Sequence, residues 1–280
     1  MPSLVQRFVL ALLLAWLYAP VLQRLVIQWW QDPNFSHGFF VPLFSAYILW
    51  RLRPRLGALP VRPTCNGILV IALGLAILII GSLGAELFLS RISLLIVFAG
   101  LVLALAGRDP MRAILFPWAF LFLMIPIPAI LFNQITFPLQ LLASKIAATL
   151  LPFANVPVLR EGNIIRLPAM SLEVAEACSG IRSLMSLVTL AIIYGYFAER
   201  NPWARVALAI TAIPIAVMAN SLRIVGTGLV VQYGDAEKAA GFFHTFSGWL
   251  IFAVSLSLLL IVHRSFRLIS GKNNSSEAVS

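Results

Sequence analysis

A chain of 280 residues that is 61% hydrophobic and only 11% charged has too little polar surface to coat a water-facing globule, since soluble domains carry roughly 25% charged residues. Mean hydropathy is +0.96, and the recurring apolar runs are long enough to cross ~30 Å of hydrocarbon, so the expected class is an all-α polytopic membrane protein. The formal charge of +10 would suit a phosphate backbone, but the lysines and arginines lie in short loops between apolar runs, where positive charge sets orientation; no nucleic-acid partner is expected.

The first span runs roughly from Leu4 to Val26. It contains Arg7 and has no small-residue cleavage site after it, which reads as an uncleaved span rather than a signal peptide. The polar stretch Gln31-Asp-Pro-Asn-Phe-Ser-His37-Gly38 leads to a short second span, Phe39 to Trp50, followed by Arg51, Arg53, Arg55 and Arg62. A third span covers Gly67 to Leu83 and a fourth Ile92 to Ala106. The fifth runs from Ala113 to about Ile125, where Pro126 and Pro128 stop it. Phe137 to Leu151 is apolar but interrupted and flanked by Pro138 and Pro152; it is short for a span and reads as an interfacial or re-entrant helix. From Val156 to Leu167 apolar and polar residues alternate about Gly162-Asn163, the pattern of a small β-hairpin. Such a hairpin cannot lie bare in lipid, so it belongs outside the bilayer or on its surface.

A sixth span follows from Ser179 to Phe197, a seventh from Val206 to Arg223 and an eighth from His244 to Val262. About eight spans then form one integral membrane domain over residues 1–270, and residues 271–280 make a polar Ser/Asn tail of disordered composition. With the N-terminus in the cytoplasm, the arginines after the second, fourth, sixth and eighth spans fall inside, in the short loops that govern orientation. Arg24, Arg91, Lys145, Arg160, Arg166, Arg182, Arg223 and Lys238 fall outside.

That topology brings Cys178, Arg223 and His244 to one face from three helices close in sequence. Cys178 stands in Glu176-Ala-Cys178-Ser-Gly-Ile-Arg182. A thiol in the first turn of a helix feels the positive end of the dipole, and Arg182 lies four residues on along the same face. Both favour thiolate and hence a nucleophile; the plain alternative is a buried structural cysteine. Arg223, in Asn220-Ser-Leu-Arg223, is either a snorkelling helix end or a fixed cation for an oxyanion or substrate carboxylate. His244 is either an interfacial histidine or the group that moves the proton. His37 ranks second as a base and first as a structural or substrate-contacting residue. Cys65 lies across ~30 Å of membrane from Cys178, too far for a disulfide, so Cys178 is expected to be a free thiol. Neither metal-ligand spacing nor a phosphate-cradling glycine loop is present, and no cofactor is expected.

Glu176-Ala-Cys178-Ser-Gly-Ile-Arg182-Ser, Asn220-Ser-Leu-Arg223, and His244 with Gly248 before the last span resemble the exosortase/archaeosortase family, as do Asp32-Pro-Asn-Phe-Ser-His37-Gly38 and Arg160-Glu-Gly162-Asn163-Ile-Ile-Arg-Leu-Pro. The resemblance covers nearly the whole chain. It implies a membrane cysteine peptidase or transpeptidase of the bacterial inner membrane that cleaves C-terminal sorting signals (a Pro-Glu-Pro motif, a span and a basic tail) with its site facing the periplasm. Cys178 would form the acyl-thioester, with Arg223 and His244 completing the catalytic set and Arg182, His37, Glu176 and Asn220 supporting the substrate. The extra C-terminal domain fused to some members is not expected here. Whether Arg223 or His244 donates the proton stays open, as do hydrolysis against transfer and the oligomeric state. Two other classes compete: a transporter or scaffold binding an anionic solute through Arg182 and Arg223, and a membrane acyltransferase using the same thiolate on a lipid donor.

Overall fold

The computed structural model describes residues 4–168, 170–174, 180–234 and 242–277. The chain divides into two compact units, Met1–Ala129 and Ile130–Ser280.

The first unit opens with α1 (Leu4–Gln31), the 3-10 turn Pro33–Phe39 and α2 (Phe40–Ala58). Then come α3 (Asn66–Leu83), α4 (Leu87–Leu105), the short α5 (Arg108–Ala113) and α6 (Leu115–Phe120), and a second 3-10 turn, Leu121–Met124. Glycines at 67, 74 and 81 recur every seven residues, about two helical turns, and so form one stripe down α3. A methyl group built on Gly74 would lie 2.6 Å from Val97 Cγ2, and one on Gly81 2.7 Å from Ser90 Oγ; at Gly67 it would run into the Ala104 backbone. Small residues admit this close approach where lipid removes the hydrophobic drive between helices and packing must hold them. The Glu86 carboxylate caps α4 by accepting from the Phe88 N–H at 3.2 Å.

The turn Pro33–Phe39 is also built locally. Asp32 accepts from the Asn34 N–H at 2.9 Å, and Pro33 fits the first position, where an N–H would find no partner. The turn seats against Leu121–Met124, whose final carbonyls are left free where the helix stops. His37 Nε2 donates to the Leu123 carbonyl at 3.2 Å and Trp29 Nε1 to the Met124 carbonyl at 2.8 Å.

The second unit contains α7 (Ala129–Leu150), the turn Leu151–Ala154, three short strands β1 (Leu159–Glu161), β2 (Ile164–Arg166) and β3 (Ser171–Glu173), then α8 (Gly180–Ala198), α9 (Pro202–Tyr233) and α10 (Phe242–Glu277). The strands pair antiparallel in the order β1-β2-β3, with Glu161 opposite Ile164 and Ile165 opposite Leu172. Gly162, at φ 66°, makes the two-residue turn that the Gly-Asn pair predicts; β3 lies beyond the expected hairpin. The sheet is held to α7 by Ser144, which donates to the Gly162 carbonyl at 2.9 Å and accepts from Arg160 Nη1 at 3.3 Å. Its inner face, Ile165, Leu167 and Leu172, packs with Leu151, Val217, Ile224 and Val231, so the sheet covers the same stretch of α9 that carries Arg223. A second core of Leu187, Ala191, Leu208, Ala212 and Leu259 joins α8, α9 and α10.

Among the described residues, six helices are long and apolar enough to cross a membrane: Phe8–Gln31, Asn66–Leu83, Leu87–Leu105, Ala129–Ala154, Pro202–Tyr233 and Gly248–Leu268. Leu115–Met124 and Arg182–Ala198 are apolar but shorter. The class is the expected all-α polytopic membrane protein with a small β element, and about eight spans was a slight over-count. Three boundaries differ for physical reasons. The Phe137 segment belongs to a 26-residue apolar stretch, because Pro138 in its middle does not break the helix. The second helix continues past Trp50 to Ala58, since arginines can extend their stems without interrupting it. The fourth begins at Leu87 rather than Ile92, which places Arg91 inside it.

Candidate active site

Arg223 sits on the longest apolar stretch of the second unit. Asn201 starts α9 by accepting from the Trp203 N–H at 2.9 Å, Pro202 occupies the first helical position, and the helix runs unbroken to Tyr233. Arg223 therefore does not close the span as expected; it lies inside the helix and is 8% exposed. Its guanidinium reaches α10 at Gly248, where an added methyl group would come within 3.8 Å of Nη2. Position 244 lies four residues before Gly248, one helical turn back on the same face.

Chain direction supplies the rest of the geometry. α8, α9 and α10 pack side by side around the Leu187 and Leu259 core. The start of α8, the C-terminal third of α9 and the start of α10 consequently lie at one end of this bundle. Cys178 and Glu176 fall outside the described residues. The chain is anchored just before them by the Val174 N–H, which donates to the Asn163 carbonyl at 3.0 Å, and α8 begins just after them at Gly180. Arg182, in the first turn of α8, is exposed.

Asn220, one turn before Arg223, is buried at 8% exposure. It lines a small crevice with Thr136, Gln140 and Ala143 of α7, Leu184 of α8 and Val217 of α9. The crevice is partly open and offers about 20 Å³, room for a single water molecule. The Asn220 Oδ1 is buried without a hydrogen-bond partner among the described residues.

His37 belongs to the first unit and is 5% exposed. Burial lowers its pKa below the ordinary 6.5, and the Leu123 and Asn34 carbonyls offset this only in part. The imidazole is neutral at pH 7 with its proton on Nε2, and Nδ1 is buried without a well-formed hydrogen bond among the described residues. Cys65 is a free, exposed thiol. Among the described residues no three His, Cys, Asp or Glu side chains cluster to hold a metal ion.

Two features escape a reading by motif. At the other end of the second unit, His263 Nε2 donates to Glu199 Oε1 at 2.7 Å, and its Nδ1 lies 2.9 Å from the Tyr194 hydroxyl. Arg205 donates to the Glu199 carbonyl at 2.8 Å, so the network ties α8, α9 and α10 where the eye expects only loop charge. The second is Arg91, 3% exposed within α4; only the exact start of that helix distinguishes it from a loop arginine.

These elements define a polytopic membrane protein with a buried cation at one end of a three-helix bundle, on a helix stretch that a small sheet covers. The model of the transmembrane exosortase family matches residues 29–261, and the chain belongs to that family. No curated protein and no solved structure matches it.

Proposed function

We propose that the chain is a membrane cysteine peptidase or transpeptidase that cleaves C-terminal sorting signals of membrane-anchored proteins. Cys178 is the nucleophile, and Arg223 and His244 are its partners. The observation that carries this reading is the Arg223 guanidinium, buried inside α9 and packed beside Gly248 one turn from position 244. A buried cation next to a first-turn histidine position suits acyl transfer, in which negative charge develops on a carbonyl oxygen and a proton must move. Family membership supports the substrate class.

In this mechanism the substrate enters sideways from lipid and its scissile bond meets Cys178 near the extracytoplasmic face of the inner membrane. The thiolate adds to the peptide carbonyl, Arg223 holds the oxyanion, and His244 delivers a proton to the leaving amine. Water or an acceptor amine then resolves the thioester. Arg182, Glu176 and Asn220 support the bound segment.

The test is processing of a co-expressed sorting-signal protein. Cys178→Ala and Cys178→Ser chains that reach the membrane at wild-type levels accumulate the uncleaved form. Cleavage at the wild-type rate by Cys178→Ala refutes the nucleophile assignment.

A further inference from the structure

Three helices of the first unit leave a groove between them at the end where α1 begins and α2 and α4 stop. α1 packs on the α3–α4 pair through Tyr18, Leu78 and Val97, with the Tyr18 hydroxyl 3.0 Å from Ser93 Oγ. Nearer the start of α1 the space opens, lined by Ala11 of α1, Leu56 and Gly57 of α2, Val61, Phe98 of α4 and Ala106 just beyond it. The groove is half-open, mostly apolar and offers about 650 Å³; small-molecule sites hold roughly 300–1,000 Å³. Small residues keep it open. The α3 glycines bring a neighbouring helix close, but a methyl group built on Gly57 meets nothing within 4 Å.

The rim is basic and fixed in place. Arg62 N–H donates to the Ala106 carbonyl at 3.0 Å and Thr64 N–H to the Leu103 carbonyl at 3.2 Å, which pins the link after α2 to the end of α4. Arg62 also pairs with Gly107, so Arg62 and Arg108 rise from adjacent backbone. Residues 51–64 and 107–112 carry Arg51, Arg53, Arg55, Arg62, Arg108 and Arg112 against one acid, Asp109. All these arginines are exposed, and among the described residues none of them is in an ion pair. Arg55 and Arg62 each adjoin a lining residue, and Arg108 follows Ala106 by two. Like charges gathered in this way repel one another and draw an anion.

Lipid tails are as apolar as the groove, so filling it does not by itself select an occupant; the rim does. Arginine-rich short loops mark the cytoplasmic side of a membrane protein, where the negative surface charge belongs to phospholipid headgroups. A substrate span that ends in a basic tail would be repelled there. We propose that this groove binds one anionic phospholipid, whose acyl chain lies along Gly57 and Phe98 and whose phosphate is held by Arg55, Arg62 and Arg108. The site stands apart from the reading of the chain as a peptidase, and neither depends on the other.

Native mass spectrometry of the full-length protein, stripped of lipid in detergent, tests it by titration with dioleoylphosphatidylglycerol and dioleoylphosphatidylcholine. One phosphatidylglycerol binds per chain, at least about tenfold tighter than phosphatidylcholine, the scale expected of a few arginines at a charged headgroup. Arg62→Gln combined with Arg108→Gln removes that preference. Arg200→Gln combined with Arg264→Gln, which changes exposed arginines of the second unit, leaves it in place. Gly57→Trp fills the groove and lowers occupancy with every arginine intact. Equal affinity for the two lipids, or a preference unchanged without Arg62 and Arg108, overturns the proposal. So does undiminished occupancy in a Gly57→Trp chain that unfolds at the wild-type temperature; should that chain misfold, the arginine variants decide alone. A lipid-free pair of chains that Gly57→Trp disrupts would assign the groove to a second copy and likewise overturn it.

Discussion

Arg223 and His37 are both buried polar groups, yet they reach that state in opposite ways. Arg223 is always charged, so its burial inside α9 is supportable only where its charge is used or answered. Replacing it with Lys or Met is expected to slow processing at least about 100-fold, the scale for losing one donor to a developing oxyanion. Lys fares little better than Met, because the planar fork is lost with either. Immunoblot time courses of substrate cleavage, at matched membrane levels of the variants, measure this. His37 instead stays neutral. Its folded pKa lies below the ordinary 6.5, so above about pH 6.5 it is uncharged in both folded and unfolded states and costs nothing. As pH falls below 6.5 the unfolded chain takes up a proton that the folded chain refuses, and stability declines until the folded pKa is reached. Thermal midpoints of detergent-solubilised protein between pH 8 and pH 5 are expected to fall more steeply for wild type than for His37→Gln. Equal slopes would show that the histidine seat does not open on unfolding as described.

At the scale of elements, packing rules that sequence patterns hint at become concrete. The α3 glycine stripe predicts that Gly74→Val destabilises the first unit by about 1–3 kcal/mol, the usual cost of overpacking, because the new side chain meets Val97. Gly57→Ala in α2 has nothing within 4 Å of its added carbon and is expected to be neutral or mildly stabilising. Unfolding of both variants in detergent checks the contrast. Ser144→Ala removes the donor to Gly162 and the acceptor for Arg160, and is expected to cost about 1–2 kcal/mol, read by faster proteolysis within residues 159–173. Apolar runs made α3, α4 and the last helix legible from sequence, and Gly162-Asn163 made the hairpin legible. Helix ends were not, because charge was taken as a boundary: arginines 51, 53 and 55 continue α2, and Arg91 falls inside α4. The third strand went unread because three residues carry no usable alternation. Of the candidate site, the residue types were legible in short motifs. The depth of Arg223 in α9 was not, since a run that resumes after a charge looks like two segments.

For the molecule as a whole, composition fixed the solvent and family membership fixes the class, while the chemistry turns on a few polar groups that an apolar chain retains at a cost. A scaffold or anion transporter would keep Arg223 and Arg182 but would give Cys178 no reason to react faster than an ordinary thiol. The competing acyltransferase would use the thiol and would load it with lipid rather than peptide. The decisive measurement is intact-mass analysis of position 178 after rapid acid quench of membranes containing the protein and a sorting-signal substrate. The account predicts a peptide-derived, hydroxylamine-sensitive thioester on Cys178 that is absent from Cys178→Ser and depleted in Arg223→Met. An unmodified Cys178 under active cleavage, or a lipid acyl group in place of the peptide, would contradict it.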